Sequence, residues 1–280
     1  LRVEECRFRD LGDGAVSLEI GTRDASVVNS DFRRVGANAV QVGRIPAYTG
    51  VGHPMHADFA DSRSLIDETG VIPSAQDMWD RSQRIAPQAP SRVMIADNTF
   101  VDCSQLDYGS VAVCVTYANP VTIEHNLFRN LPYTAINVGW RWAPGLSNAH
   151  SNVVRGNRID GIMRQAGDGA GVYLVGEQPG TRVVDNYITD SGRNYWAHGV
   201  YADEFSDHME IAGNYVTGVL DHSIFLHKNG PNQAIHDNNG DPGPTVITGR
   251  TARGTAWTQF HPARTPLDLS LYGPRRPLSP

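Results

Sequence analysis

Two aspartates, Asp168 and Asp203, are the residues of this 280-residue chain best placed to do chemistry. Asp203 closes the run Gly199-Val200-Tyr201-Ala202-Asp203, and Asp168 sits in Gly167-Asp168-Gly169-Ala170-Gly171. His227 ends the parallel run Ser223-Ile224-Phe225-Leu226-His227, and His198 precedes Gly199. A carboxylate beside an imidazole in a half-buried groove can act as general acid, general base or nucleophile. Glu177 is a further acid within reach of Asp203, while strand alternation turns Glu204 away toward a turn. Asp168 also has a plain reading as a turn former among glycines.

Aligning the apolar residues of these runs places Ile136, Val172, Val200 and Ile224 in one column and Val138, Leu174, Ala202 and Leu226 in another. Alternation then puts Asn137, Tyr173, Tyr201 and Phe225 in an outward column that ends on Asp203. Aromatic faces beside carboxylates suit sugar rings, through contact with the C–H side of the ring. Trp140 and Trp142 extend that surface. The alternative is a cover of loop or tail over the strip. Paired carboxylates flanking a saccharide groove are the equipment of glycoside hydrolysis: one protonates the leaving oxygen, the other attacks or activates water.

The elements that position these residues repeat. Val3–Phe8 and Val27–Phe32 share an apolar spacing 24 residues apart, and the pattern resumes near Val93, Val121, Val153, Asp185, Gly213 and Ala234. The equivalent position reads Cys6, Ser30, Asn98, Asn126, Asn157, Asn186, Asn214 and Asn238, with Asn-to-Asn steps of 28, 31, 29, 28 and 24 residues. Short β-branched strands at this period, punctuated by Gly and Asn, predict an all-β chain folded as a right-handed parallel β-helix. Its coils stack about 4.8 Å apart with like residues above like. Asn suits a repeated bend because it tolerates left-handed backbone and its amide can bond the next coil. Those asparagines are expected to hold the turn and do no chemistry.

The period divides the chain into first coils over 1–43, an inserted loop over 44–92, the main β-helix over 93–240 and an extended tail over 241–280. The insertion carries five prolines, a short helix expected over Ser74–Arg84, and a polar cluster of His53, His56, Asp58 and Asp61 that fits no standard metal spacing. A net charge of −6 argues against nucleic acid, and no apolar run is long enough to span a membrane. Only one of the 24 basic residues is a lysine, Lys228. The three cysteines do not make a disulfide framework; Cys103 and Cys114 are expected to be buried thiols unless neighbouring strands bring them together.

The run from Asp168 to Gly180, together with Asp185-Asn-Tyr-Ile-Thr-Asp190 and His198-Gly-Val-Tyr-Ala-Asp-Glu204, resembles bacterial right-handed β-helix carbohydrate-active proteins. It looks most like those grouped as glycoside hydrolase family 141, which includes α-L-fucosidases and xylanases acting on plant cell-wall glycans. Tyr133-Thr-Ala-Ile-Asn-Val-Gly-Trp-Arg-Trp142 fits the coil that precedes the site. The resemblance spans roughly residues 90 to 240 and implies that Asp168 and Asp203 are the catalytic pair. It implies a plant or microbial polysaccharide or oligosaccharide as partner, and a secreted or periplasmic protein. Hydrolysis by two carboxylates needs no cofactor and no metal. Two departures stand out: the long N-terminal part of such enzymes is missing, so the chain reads as a fragment, and Ala202 replaces a larger residue.

Two other chemistries remain open to the same residues. A polysaccharide lyase or uronan epimerase would need a basic residue, with Lys228 and Arg164 as candidates, and often Ca²⁺ held by acids. A non-catalytic glycan-binding β-helix would use Asp168 and Asp203 only as polar groups of a groove. The oligomeric state is not legible.

Overall fold

The computed structural model describes residues 1–43, 89–142, 148–193, 195–240, 246–248 and 268–275. The expected loop over 44–92, apart from its last four residues, lies outside them, as do the polar cluster at His53–Asp61 and the helix expected over Ser74–Arg84.

Every long strand pairing is parallel, and the strands sort into three eight-stranded sheets that the chain visits in rotation. This is a β-solenoid, a parallel β-helix. Each coil contributes one strand to each sheet, and the register places equivalent residues directly above one another. Ile136 pairs with Val172, Val172 with Val200 and Val200 with Ile224 in the third sheet. The column expected from the sequence is therefore observed residue for residue.

The interior is a stack of like side chains. Val27, Ile95, Ile123, Val154, Val183 and Ile211 line the first sheet, and all are buried. In the second sheet Phe8, Phe32, Phe100 and Phe128 stack with ring centroids 4.7, 4.8 and 4.8 Å apart, close to the strand spacing. One coil cannot bury its apolar face, but each neighbour covers it, at about 1.5–3 kcal/mol per large side chain.

The bend between the first and second sheets is held by the asparagine ladder. The backbone N–H of Asn126 donates to Asn157 Oδ1 at 3.0 Å, and its amide donates to the Ile95 carbonyl at 2.9 Å. The same pattern joins Asn157 to Asn186, Asn186 to Asn214 and Asn214 to Asn238. Ser30 and Cys6 continue it, Ser30 with its hydroxyl and Cys6 through its backbone. A buried donor without such a partner costs about 1–3 kcal/mol, so the ladder is what makes the bend tolerable.

On the outside, arginines bridge successive coils: Arg34 to Asp10, Arg92 to Asp24, and Arg155 to Glu124. Such surface pairs contribute little individually. Cys103 and Cys114 are buried and free, and desolvation pushes both thiols up to about 12. Residues 268–275 return along the solenoid: Tyr272 packs 5.7 Å from Tyr187, and Arg275 bonds Asp97 and Glu124. No helix among the described residues is long and apolar enough to cross a membrane.

Candidate active site

The site is built on the outer face of the third sheet, on the strands Gly169–Leu174, Ala197–Ala202 and Ile224–His227. Tyr173 pairs with Tyr201 and Tyr201 with Phe225, so the three rings form one column. They stand outside the central core, in a separate cluster with Ala170, Val175 and Trp142. Their exposure corrects the expectation of an open sugar-stacking strip: Tyr173, Tyr201 and Phe225 are only 8%, 1% and 4% exposed. Other side chains close over them, so these rings form the floor of the site rather than its platform.

That floor holds Asp203. The Tyr173 hydroxyl donates to Asp203 Oδ2, Trp142 Nε1–H reaches the same oxygen at 3.3 Å, and the Tyr201 hydroxyl donates to Oδ1 at 3.1 Å. Three neutral donors converge on a carboxyl group that is 7% exposed. Both oxygens act as acceptors, which is the role of an ionised carboxylate. Burial, and then the negative charge of Asp203, push the hydroxyls of Tyr173 and Tyr201 far above the usual phenol range, so both stay protonated donors.

Asp168 reaches this group because the strand is bent. Ala170 lies in the outer cluster and Val172 in the core, although strict alternation would put both on one side. Between them Gly171 carries no side chain, and the ladder pairing with the next coil skips Gly171 and Gly199. A Cβ at Gly199 would come within 2.3 Å of Val216 Cγ1, and one at Gly171 within 2.8 Å of Ile188 Cγ2. Only glycine lets the backbone press against the core there. Asp168 precedes one strand and Asp203 follows its neighbour, and the charge of Asp203 is felt at Asp168.

Asp168 is exposed at the rim, in left-handed backbone at φ +60°, and its carbonyl accepts the Tyr133 hydroxyl at 2.7 Å. Partial desolvation first, then the charge of Asp203, raise its carboxyl above the usual range, while His227 and Tyr201 pull it back. Tyr133 feels both acids, and burial and their charges keep its hydroxyl protonated. The structure therefore brings Asp168, Asp203, Tyr173, Tyr201, Trp142 and His227 together, and adds Tyr133.

The remaining sequence candidates fall elsewhere or serve as packing. The backbone of Glu177 pairs with Asp207 on the next coil, and its carboxylate faces His208 Nδ1 at 3.3 Å. Glu204 binds Lys228 and lies 3.8 Å from His227 Nε2. Asn137 continues the aromatic column but turns its amide to the Gly139 carbonyl. Trp140 meets Trp142 edge-on at 4.8 Å and supports it from behind. His198 is buried against Phe225 at 4.4 Å with Nδ1 facing His222 Nδ1 at 3.2 Å, and burial pushes it down to about 3. A neutral buried ring supports the floor and cannot supply a proton at ordinary pH. Arg164 is tied to Asp190. No cluster of three or more metal-ligating residues occurs among the described residues.

No protein-family model matches this chain, and no curated protein matches it. Among solved structures it resembles a chain described as "Glycoside hydrolase", with a TM-score of 0.66 and 23% identity over 90% of this chain and 39% of that one. The present chain thus spans well under half the length of that protein, and the likeness is one of fold. A second match, to PfbA, a surface adhesin of Streptococcus pneumoniae, has a TM-score of 0.27 at 12% identity, covering 84% of this chain and 56% of the other.

Proposed function

We propose that this protein hydrolyses glycosidic bonds in a plant or microbial polysaccharide, with Asp168 as general acid and Asp203 as base or nucleophile. The observation that carries this reading is the coupling of two carboxyl groups in unlike settings on the outer face of the third sheet. Asp168 is exposed at the rim with its carboxyl raised above the usual range, by desolvation first and then by the charge of Asp203, while Asp203 is sunk among three hydrogen-bond donors. Environments that separate two neighbouring carboxyl groups in this way divide acid from base.

In this reading the glycosidic oxygen lies beside Asp168 and takes its proton as the C–O bond breaks. Asp203 either attacks the anomeric carbon or removes a proton from the attacking water. Tyr173, Tyr201 and Trp142 fix the carboxylate without neutralising it, because none of them carries a charge. The buried aromatic floor excludes bulk water and strengthens the interaction of Asp203 with positive charge developing on the sugar. The shared fold with a protein described as a glycoside hydrolase supports the class of reaction. A fucosidase- or xylanase-like substrate, and a place outside the cytoplasm where such polymers occur, belong to the same proposal.

Elimination chemistry has less support, since Lys228 is paired with Glu204 and Arg164 with Asp190. Incubation with arabinoxylan, fucosylated xyloglucan and pectic polymers tests the choice. Hydrolysis releases reducing ends with no ultraviolet-absorbing product. An unsaturated, absorbing product end would replace hydrolysis by elimination.

A further inference from the structure

With Tyr173, Tyr201 and Phe225 closed over, the surface that meets a sugar must lie elsewhere, and the register points to it. Gly169 pairs with Ala197, so Trp196 occupies on its coil the position that Asp168 occupies on the coil before. Both residues adopt left-handed backbone, at φ +60° for Asp168 and +53° for Trp196. Equivalent positions with equivalent backbone project their side chains the same way, about one strand spacing apart. A bulky side chain rarely takes this conformation, and here hydrogen bonds hold it on both sides. The Trp196 carbonyl accepts from Gly169 N–H at 3.0 Å, and the next N–H, of Ala197, donates to Asp221 Oδ2 at 2.7 Å.

The indole rests its edge on the floor, with centroids 6.0 Å from Phe225 and 6.0 Å from His227, yet it remains 44% exposed. His227 in turn acts on the charge of Asp168. Tyr195, also exposed, lies over Gly167, the residue before the same acid. Trp142 occupies the opposite end, bonded to Asp203.

We infer that Trp196 is the sugar-stacking wall on the Asp168 side of the site and receives the leaving-group sugar. This rests on the hydrolase reading for its direction, because the leaving oxygen lies beside the acid. It does not need that reading for the binding itself. A glycan then runs from Trp142, past Asp203 and Asp168, to Trp196. An indole face matches the C–H face of a pyranose, and loss of that contact removes apolar burial worth about tenfold in affinity.

The test is titration of xylo-oligosaccharides and fucosylated xyloglucan oligosaccharides into Asp168→Asn protein, with and without Trp196→Gly or Trp196→Tyr. Glycine accepts left-handed backbone, so the fold is expected to survive, as a thermal melt would show. Affinity falls about tenfold with glycine and is largely kept with tyrosine. Tyr108→Ala, at an exposed ring far along the solenoid, leaves it unchanged. In the otherwise wild-type protein, Trp196→Gly slows oligosaccharide hydrolysis but spares the glycosyl fluoride of the same sugar, whose leaving group is one atom. Unchanged affinity in Trp196→Gly, or no binding of any of these glycans by the parent protein, overturns the inference. Equal losses on oligosaccharide and fluoride overturn its direction. Trp196-dependent binding with no hydrolysis by the wild type would leave the wall in place and remove the hydrolase reading alone.

Discussion

Replacing Asp168 by asparagine should stabilise the protein at neutral pH while abolishing its activity. The carboxyl of Asp168 is raised in the folded state, by desolvation first and then by the charge of Asp203. The folded protein therefore holds more protons than the unfolded chain between the ordinary carboxyl value of 3.8 and the raised one. Across that window stability falls as pH rises, and above it the loss is complete. Below 3.8 both states are protonated and the penalty vanishes. Two like charges about 4 Å apart would repel by about 4 kcal/mol at a partly buried dielectric; Asp168 is exposed and solvent screens it, so about 1 kcal/mol is the magnitude expected here. Asparagine keeps the shape and removes the charge. Thermal melts of both proteins from pH 3 to 8 are the assay. The variant should melt about 2 °C higher at neutral pH, with the gain fading at the acid end. In an Asp203→Asn background the gain should shrink to the part that desolvation alone supplies, since the repelling partner is gone. A gain independent of pH, or a neutral-pH loss of stability in the single variant, would refute the coupling of the two acids.

Tyr173→Phe removes one of three donors to Asp203 while keeping the ring in place, and should cost about 1.5–3 kcal/mol in denaturant unfolding together with a loss of turnover. Asn157→Ala, mid-ladder, strips partners from buried groups of Asn126 and Ile123 and should cost about 2–4 kcal/mol with no specific effect on the chemistry of what remains folded. Gly199→Ala drives a methyl group into Val216 and the Ser223 carbonyl, straightens the bend, and should cut activity more than a surface Gly12→Ala control.

The repeat was legible because every coil meets the same environment. Ile136, Val172, Val200 and Ile224 face the same core, so one alignment of apolar residues fixes register for all of them. The asparagine column was legible for the same reason, and its expected structural role is the one its hydrogen bonds show. Alternation correctly put Tyr173, Tyr201 and Phe225 outside the core, but their coverage depends on side chains from distant positions, which no local pattern encodes. His198 was placed near the site without a face, because the bend at Gly171 and Gly199 breaks the two-residue period. The paired glycines, recurring one coil apart, were the available signal. Tyr133 and Trp196 sit at corners rather than in strands, where periodicity carries no information. Glu177 looked like a partner for Asp203 from spacing alone, yet its carboxylate faces His208 past the end of the strand, where its backbone pairs with Asp207.

The most direct test of the central claim is release of reducing ends from a hydrolysed polysaccharide by the wild type, Asp168→Asn and Asp203→Asn, each shown to be folded. The pairing of the two acids predicts that each substitution lowers the rate by about 10²–10⁴-fold while the glycan still binds. A wild-type rate in either variant would contradict it.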